Sequence, residues 1–222
     1  MIPQERILTK TEDGSHTLFI PSMNEHYHST KGAIQESTHV FIQAGWQAMP
    51  QQRIRILEIG FGTGLNAFLT LCEADKSEKE IDYYAIERFP LEESLIEELN
   101  YANAVAPQKK DLFISLHRAH WGEAVAITDR FSLYKMEGDI NSCQLPEGID
   151  LIFFDAFAPE KQPEMWNLPL FEKLYASASP GAIFVTYCAK GEVRRNLQTA
   201  GFQMERLPGP PGKRHMLRGK KP

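Results

Sequence analysis

Little in this chain suits an oxidising or membrane setting. Its 222 residues hold only three cysteines, Cys72, Cys143 and Cys188, far apart and without a C-x-x-C pair. That excludes a disulfide framework and offers no zinc-ligand spacing, so buried free thiols are expected. No apolar run is long enough to span a bilayer. The first residues, Met1-Ile2-Pro3-Gln4-Glu5-Arg6, lack the basic-then-apolar order of a signal peptide, which leads to the expectation of a cytoplasmic protein. Internal repeats and low-complexity tracts are also missing. Nor is there a general excess of positive charge: 24 Lys and Arg against 29 Asp and Glu give a net charge of −5, which argues against indiscriminate nucleic-acid binding. The charge is uneven, however. From Pro208 onward five cations (Lys213, Arg214, Arg218, Lys220, Lys221) face no acid, leaving 19 cations against 29 acids in residues 1–207. Such a tail suits local phosphate binding, or solubility alone.

What the chain does have is apolar matter for one sizeable core, 42% of its residues, arranged around a single stretch, Ile54 to Phe68. There an aliphatic run reaches Glu58, breaks at Gly60, Gly62 and Gly64, and resumes with helical spacing. That is strand, tight turn and helix, a cradle for a nucleotide. The spacing is G-x-G-x-G, one residue shorter than the dinucleotide fingerprint G-x-G-x-x-G, which makes a dinucleotide oxidoreductase a weak reading.

Around this stretch the elements follow in order. Arg6–Lys10 and His16–Ile20 flank an Asp-Gly and read as a β-hairpin, residues 22–32 as irregular, and Ala33–Trp46 as helical. Residues 1–50 are thus expected to form an extension packed on a main domain, 51–222. A helix from about Gly64 to Ala74 leads to the strand Ile81–Glu87, whose terminal Glu87 lies 23 residues beyond Gly64, where a carboxylate can accept from ribose hydroxyls or simply face solvent. Leu91–Asn100 reads as a helix, and Asp111–Thr128 as one or two more around Trp121, with His117 and His120 as packing or surface residues. The strand Phe131–Ile140 contains Gly138-Asp139, where Asp139 can read an adenine amino group or cap a turn. The strand Gly148–Phe154 runs into Asp155 and a Pro-interrupted loop. Pro163–Ala176 and Gly191–Ala200 read as helices and Gly181–Tyr187 as a strand between them, with Phe202–Leu207 and Met216–Arg218 as a closing strand pair. This order predicts an α/β fold, a seven-stranded, mostly parallel, Rossmann-like sheet with an antiparallel last strand. His26 and His28 alternate in an irregular stretch without an obvious third ligand, so no metal is expected.

The segment Glu58-Ile-Gly-Phe-Gly-Thr-Gly64, with Glu87, Asp139 and above all Asp155-Ala-Phe-Ala-Pro-Glu-Lys-Gln-Pro-Glu-Met-Trp166, resembles the MnmC/MnmD tRNA methyltransferases. An N-terminal stretch like Ser22–Gly45 and the late Gly212-Lys-Arg-His-Met216 carry the resemblance over most of the chain. It implies a class I S-adenosylmethionine-dependent enzyme that methylates the aminomethyl nitrogen on carbon 5 of the wobble uridine in a tRNA anticodon loop. It also implies that Glu58, Gly60, Phe61, Gly62, Thr63, Gly64 and Asn66 hold the methionine end of the cofactor, Glu87 the ribose and Asp139 the adenine, while Asp155 attends the reacting amine. Tyr27, His28, Lys31, Phe157, Pro159, Lys161, Trp166, Lys213 and Arg214 fall where the acceptor would lie, Phe157 or Trp166 as a stacking surface for the base. Bifunctional members carry a second, FAD-dependent domain that makes the amine, and this sequence of 222 residues has no room for it. A standalone form that depends on an upstream enzyme for its substrate is therefore expected. A small-molecule amine methyltransferase, an aminopropyltransferase of the same fold, and a non-catalytic nucleotide- or tRNA-binding module are the competing readings. For Asp155 itself, turn capping is the alternative role.

Overall fold

In the computed structural model, which describes residues 5–222, a hairpin and a short third strand precede a single large sheet. Residues 1–4, part of the stretch used for the signal-peptide reading, lie outside the described residues. The small sheet is β1 (Ile7–Lys10), β2 (His16–Ile20) and β3 (Glu25–His26), all antiparallel. The helical run after it begins as α1 (Ala33–Ser37), widens into a π-type turn over Thr38–Gln43 and ends in a 3-10 turn at Trp46–Ala48. Then come β4 (Arg53–Ile59), α2 (Leu65–Ser77), β5 (Glu80–Glu87), α3 (Glu93–Glu98), α4 (Tyr101–Val105) and α5 (Lys110–Arg118). The second half holds β6 (Ala124–Thr128), β7 (Phe131–Glu137), β8 (Ile149–Phe154), α6 (Leu168–Ser177), β9 (Ala178–Thr186), α7 (Gly191–Ala200), β10 (Gln203–Pro208) and β11 (His215–Lys220).

The large sheet has the order β10-β11-β9-β8-β4-β5-β7-β6. Five neighbours, β9-β8-β4-β5-β7, run parallel, β11 is antiparallel to both β9 and β10, and β6 is antiparallel to β7. The sheet thus has eight strands rather than seven. The extra one is Ala124–Thr128, expected to be helical: α5 ends at Arg118, and after Gly122 the run Ala-Val-Ala-Ile-Thr alternates and pairs along the edge of β7. The expected helix over Leu91–Asn100 also breaks, because Leu99 turns extended between α3 and α4. Glu25–His26, within the stretch read as irregular, gains strand form by pairing with Phe19 and Ile20.

Apolar side chains cover both faces of the sheet. On one face Phe68, Phe113 and Tyr101 pack with Phe41, Trp46 and Met49 from residues 33–49; on the other Phe154 meets Trp166, Phe171 and Phe184. Phe41 lies 5.2 Å from the ring of Phe153 in β8, so the N-terminal helical run contributes to the same core as the parallel strands. Of the three thiols, Cys72 and Cys188 are buried as expected, whereas Cys143 is only half-buried.

This shared core predicts that Phe41→Ala costs about 3–5 kcal/mol and that urea unfolds the variant, like the parent, in one transition with an unchanged slope. Two separate transitions would show that the N-terminal run folds independently.

Candidate active site

Strands β4, β5, β7 and β8 end together at the sheet edge where open α/β folds bind ligands. A cleft opens there, with about 720 Å³ of empty space counted out into open solvent. Its walls are the turn Gly60–Thr63, Leu65 and Asn66 of α2, Ile86–Arg88, Gly138–Ile140, Asp155–Phe157, and Tyr27 and His28 from the N-terminal segment.

The turn after β4 requires its first glycine. Gly60 has φ 88°, and a Cβ there would stand 2.8 Å from the carbonyl oxygen of Asp155, so any side chain would push the turn off the end of β8. The N–H groups of Gly60 and Phe61 donate to Ile86 O at 3.0 and 3.2 Å, tying the turn to the tip of β5. Glu87 accepts from Gly62 N at 2.9 Å and from Phe89 N at 2.8 Å, one bond per oxygen, which leaves lone pairs for further donors. Gly64 instead faces His117, where a Cβ would meet Nε2 at 2.7 Å. That imidazole donates to Thr63 O at 3.0 Å, and burial lowers its pKa to about 3, so it is a neutral packing residue.

At one end of the cleft Asp139 accepts from Asn141 N at 2.9 Å and pairs with Arg88 at 3.0 Å; both hold its carboxyl below the usual range. It caps its turn and faces the cleft at once. At the other end Asp155 is recessed: its N–H donates to Ile59 O at 3.0 Å, and its Oδ2 accepts from Asn66 Nδ2 at 2.8 Å. Burial pushes its pKa up to about 7, with the Asn66 hydrogen bond and the Lys213 ammonium pulling down and the Glu36 carboxylate pushing up. The loop beyond is pinned by three side chains. Gln162 Oε1 accepts from Phe157 N at 3.2 Å, Trp166 Nε1 donates to Phe157 O at 2.8 Å, and Tyr187 Oη donates to Ala156 O at 2.8 Å. The Phe157 ring meets Tyr27 edge-on at 5.1 Å, and both line the cleft.

Two of the expected site residues lie off the cleft wall. Trp166 is 4% exposed and committed to the core against Phe154, so it cannot stack on a ligand; its function is to hold Phe157. Glu58 does not line the cleft but lies fully buried beneath it, with neither carboxyl oxygen hydrogen-bonded, and burial keeps its pKa well above the carboxylate range. His28 lines the cleft, and burial lowers its pKa to about 4. Lys213 lies in a smaller adjoining pocket, whereas Lys31, Pro159, Lys161 and Arg214 line neither. Lys31 pairs with Glu12 at 2.6 Å, and Arg214 is exposed. Sequence reasoning missed Arg88, Gln162, Glu36 and Tyr187. Gln162 lies inside the Asp155–Trp166 segment and was within reach, but Glu36 carries no sequence signal, since its partner is 177 residues away. Among the described residues no group of three or more His, Cys, Asp or Glu is placed to hold a metal ion.

The strand order and the cleft together define a class I S-adenosyl-L-methionine-dependent methyltransferase fold. A family described as "S-adenosyl-L-methionine-dependent methyltransferase" matches residues 104–222, and the chain belongs to it. It is 35% identical over 212 residues to the tRNA 5-methylaminomethyl-2-thiouridine biosynthesis bifunctional protein MnmC of Ectopseudomonas mendocina, a match that covers 89% of this chain and 32% of that one. The chain therefore spans about a third of the length of this relative. The solved structure of MNMC2 from Aquifex aeolicus superposes with a TM-score of 0.76 at 26% identity, over all of this chain and 72% of that one. Spermidine synthase from Thermotoga maritima is similar at a TM-score of 0.61 and 10% identity, over all of this chain and 70% of that one, a likeness of fold alone.

The state of Asp155 has a consequence for stability. A carboxyl whose pKa is raised to about 7 in the fold, against about 3.9 when unfolded, lets the unfolded chain ionise first. Stability is then lost as pH rises from about 4 to about 7 and the loss is constant above that. Asp155→Asn should therefore melt above the parent at pH 8, by about 2–4 °C for each kcal/mol regained, and lose that advantage at pH 4. Equal melting temperatures at both pH values would show that the carboxyl is not raised.

Proposed function

We propose that this protein methylates the primary amine of a 5-aminomethyluridine at the wobble position of tRNA, with S-adenosyl-L-methionine as donor, giving 5-methylaminomethyl(-2-thio)uridine. The observation that carries the reading is the recessed Asp155 at the meeting point of the nucleotide cleft and a second pocket toward the N-terminal segment. The names of the relatives support the acceptor.

The cleft residues fit the cofactor. Thr63 Oγ1 and Asn66 Oδ1 are buried polar atoms without hydrogen-bond partners beside the glycine turn, a vacancy that suits a polar ligand. In this proposal Gly60, Phe61, Gly62, Thr63 and Asn66 hold the methionine end, Glu87 the ribose and Asp139 the adenine, while Glu58 and Gly64 support the turn from behind. Bound S-adenosyl-L-methionine supplies a methyl group on a positively charged sulfur, already activated for displacement by an amine.

The rest is done by the chain. An alkylamine arrives mostly protonated at neutral pH, and only its neutral form has the lone pair needed to attack. Asp155 as carboxylate accepts a hydrogen bond from the ammonium, aligns the nitrogen and receives its proton. A pKa near 7 makes it a far better proton acceptor than a solvated aspartate. Asn66 fixes the carboxyl through its 2.8 Å bond, and Phe157, held by Gln162 and Trp166, offers a face for the displaced base. The N-terminal segment, read as an extension of the 51–222 domain, would close the acceptor side through Tyr27 and His28. Lys161 and Arg214, which line neither pocket, would serve in this reading as phosphate contacts, in the manner of backbone-positioning cations. The amine consumed here must come from a separate reaction that builds the aminomethyl group.

Methyl transfer from labelled cofactor into tRNA bearing 5-aminomethyluridine should occur, with kcat/KM rising with pH and levelling above about pH 7 as Asp155 ionises. Asp155→Asn should lower kcat by about 10²–10⁴ with little change in cofactor affinity. Labelling of small amines but not of tRNA would overturn the acceptor, and an unaffected Asp155→Asn would overturn the role of the carboxyl.

A further inference from the structure

Beside Asp155, on the side away from the glycine turn, lies a second, smaller pocket bounded by His26, Ser29, Glu36, Phe157, Tyr187 and Lys213. Its unusual feature is an ion pair between Glu36 of α1 and Lys213 of the β10–β11 loop, which joins segments 177 residues apart. Glu36 is 6% exposed. Lys213 is a third exposed, so the pair sits at the pocket mouth with its carboxylate desolvated and its ammonium still open to one side, an arrangement in which desolvation offsets much of the attraction. Both groups keep spare capacity. Glu36 uses Oε2 for Ser29 N at 2.7 Å and Oε1 for Lys213, out of about four lone-pair sites. The Lys213 ammonium, one of whose three protons serves Glu36, lies 3.9 Å from the centre of the Tyr187 ring. Tyr187 in turn holds Ala156 O at 2.8 Å, so the pair is anchored to the Asp155 loop.

Resting on the aminomethyluridine reading above, we propose that the Glu36–Lys213 pair selects the acceptor base by its Watson–Crick edge, Glu36 accepting from N3–H of uracil and Lys213 donating to O4. In a uracil the atoms that follow the C5 substituent around the ring are C4 with its O4, then N3 with its proton. An amine attached through C5 and held at Asp155 therefore brings that edge into the pocket that Glu36 and Lys213 share with Asp155. Phe157, on the wall of both cavities, bounds the base between them. The arrangement rejects as well as accepts. Cytosine would turn a bare N3 toward the carboxylate and an amino group toward the ammonium, so that acceptor would face acceptor and donor would face donor, a mismatch on which polar sites discriminate strongly. The 2-position faces neither group, so thiolation there is neutral to this contact.

The test uses three synthetic anticodon stem-loops carrying 5-aminomethyluridine, its N3-methyl derivative, or 5-aminomethylcytidine, with S-adenosyl-L-methionine and the full chain. The parent protein should methylate the first with kcat/KM at least about tenfold above either of the others. Glu36→Leu should lower kcat/KM for the uridine by about tenfold or more and shrink its advantage over the N3-methyl derivative, while Glu36→Gln, which keeps an acceptor oxygen, restores part of both. Cofactor affinity measured by titration should be unchanged in both variants, since neither residue lines the cofactor cleft, and this reports an intact fold. Equal kcat/KM on all three stem-loops, or full discrimination in Glu36→Leu, would overturn the edge-reading while leaving the methylation itself standing. Transfer to none of the three by the parent would overturn the function proposed above, and the edge-reading with it.

Discussion

The site depends on one close approach: the end of β8 lies against the turn that follows β4. Asp155 N donates to Ile59 O, the Asp155 carbonyl fills the space a side chain at Gly60 would need, and the Asp155 carboxyl is held by Asn66 from the first turn of α2. One short segment therefore fixes both the glycine turn and the recessed carboxyl. The cleft and the smaller pocket share a wall, and that wall is held by hydrogen bonds to two parallel strands and a helix.

The electrostatics follow from that recess. Burial raises Asp155 into the neutral pH range and keeps His28 uncharged beside it. Below the turn, the same burial pushes the Glu58 carboxyl well above the carboxylate range, with the Asp155 charge adding to the push. Toward the acceptor side the charges come as a pair, Glu36 with Lys213, whose opposite effects on Asp155 partly offset one another. Asp155 is thereby brought to exchange a proton near neutral pH, as the proposed abstraction of a proton from an amine requires.

Much of this was legible in the sequence, for physical reasons that can be named. The alternating glycines after an aliphatic run, the acids ending β5 and following β8, and the alternation of strands and helices all express local rules, and they led to the parallel sheet and its active edge. The eighth strand was missed because Ala124–Thr128 is short, follows a real helix and owes its form to pairing with β7. Trp166 misled because an aromatic in a loop beside an active site reads as a stacking surface until its burial against Phe154 is seen. Glu58, which the resemblance sets at the methionine end of the cofactor, lies buried beneath the turn rather than on the cleft wall. Glu36 was invisible, since nothing in the pattern of α1 reveals a partner beyond residue 200. Contacts made across the fold, rather than along the chain, are what the sequence withheld.

The central claim is that the methyl group ends on the aminomethyl nitrogen that Asp155 faces. Nucleoside mass spectrometry, on tRNA bearing 5-aminomethyluridine treated with the protein and methyl-deuterated S-adenosyl-L-methionine, tests this most directly. The account predicts a single labelled nucleoside whose fragments place the deuterated methyl on the C5 side-chain nitrogen. Label on a ring nitrogen or ribose oxygen, or a tRNA left unlabelled beside a labelled small amine, would contradict it.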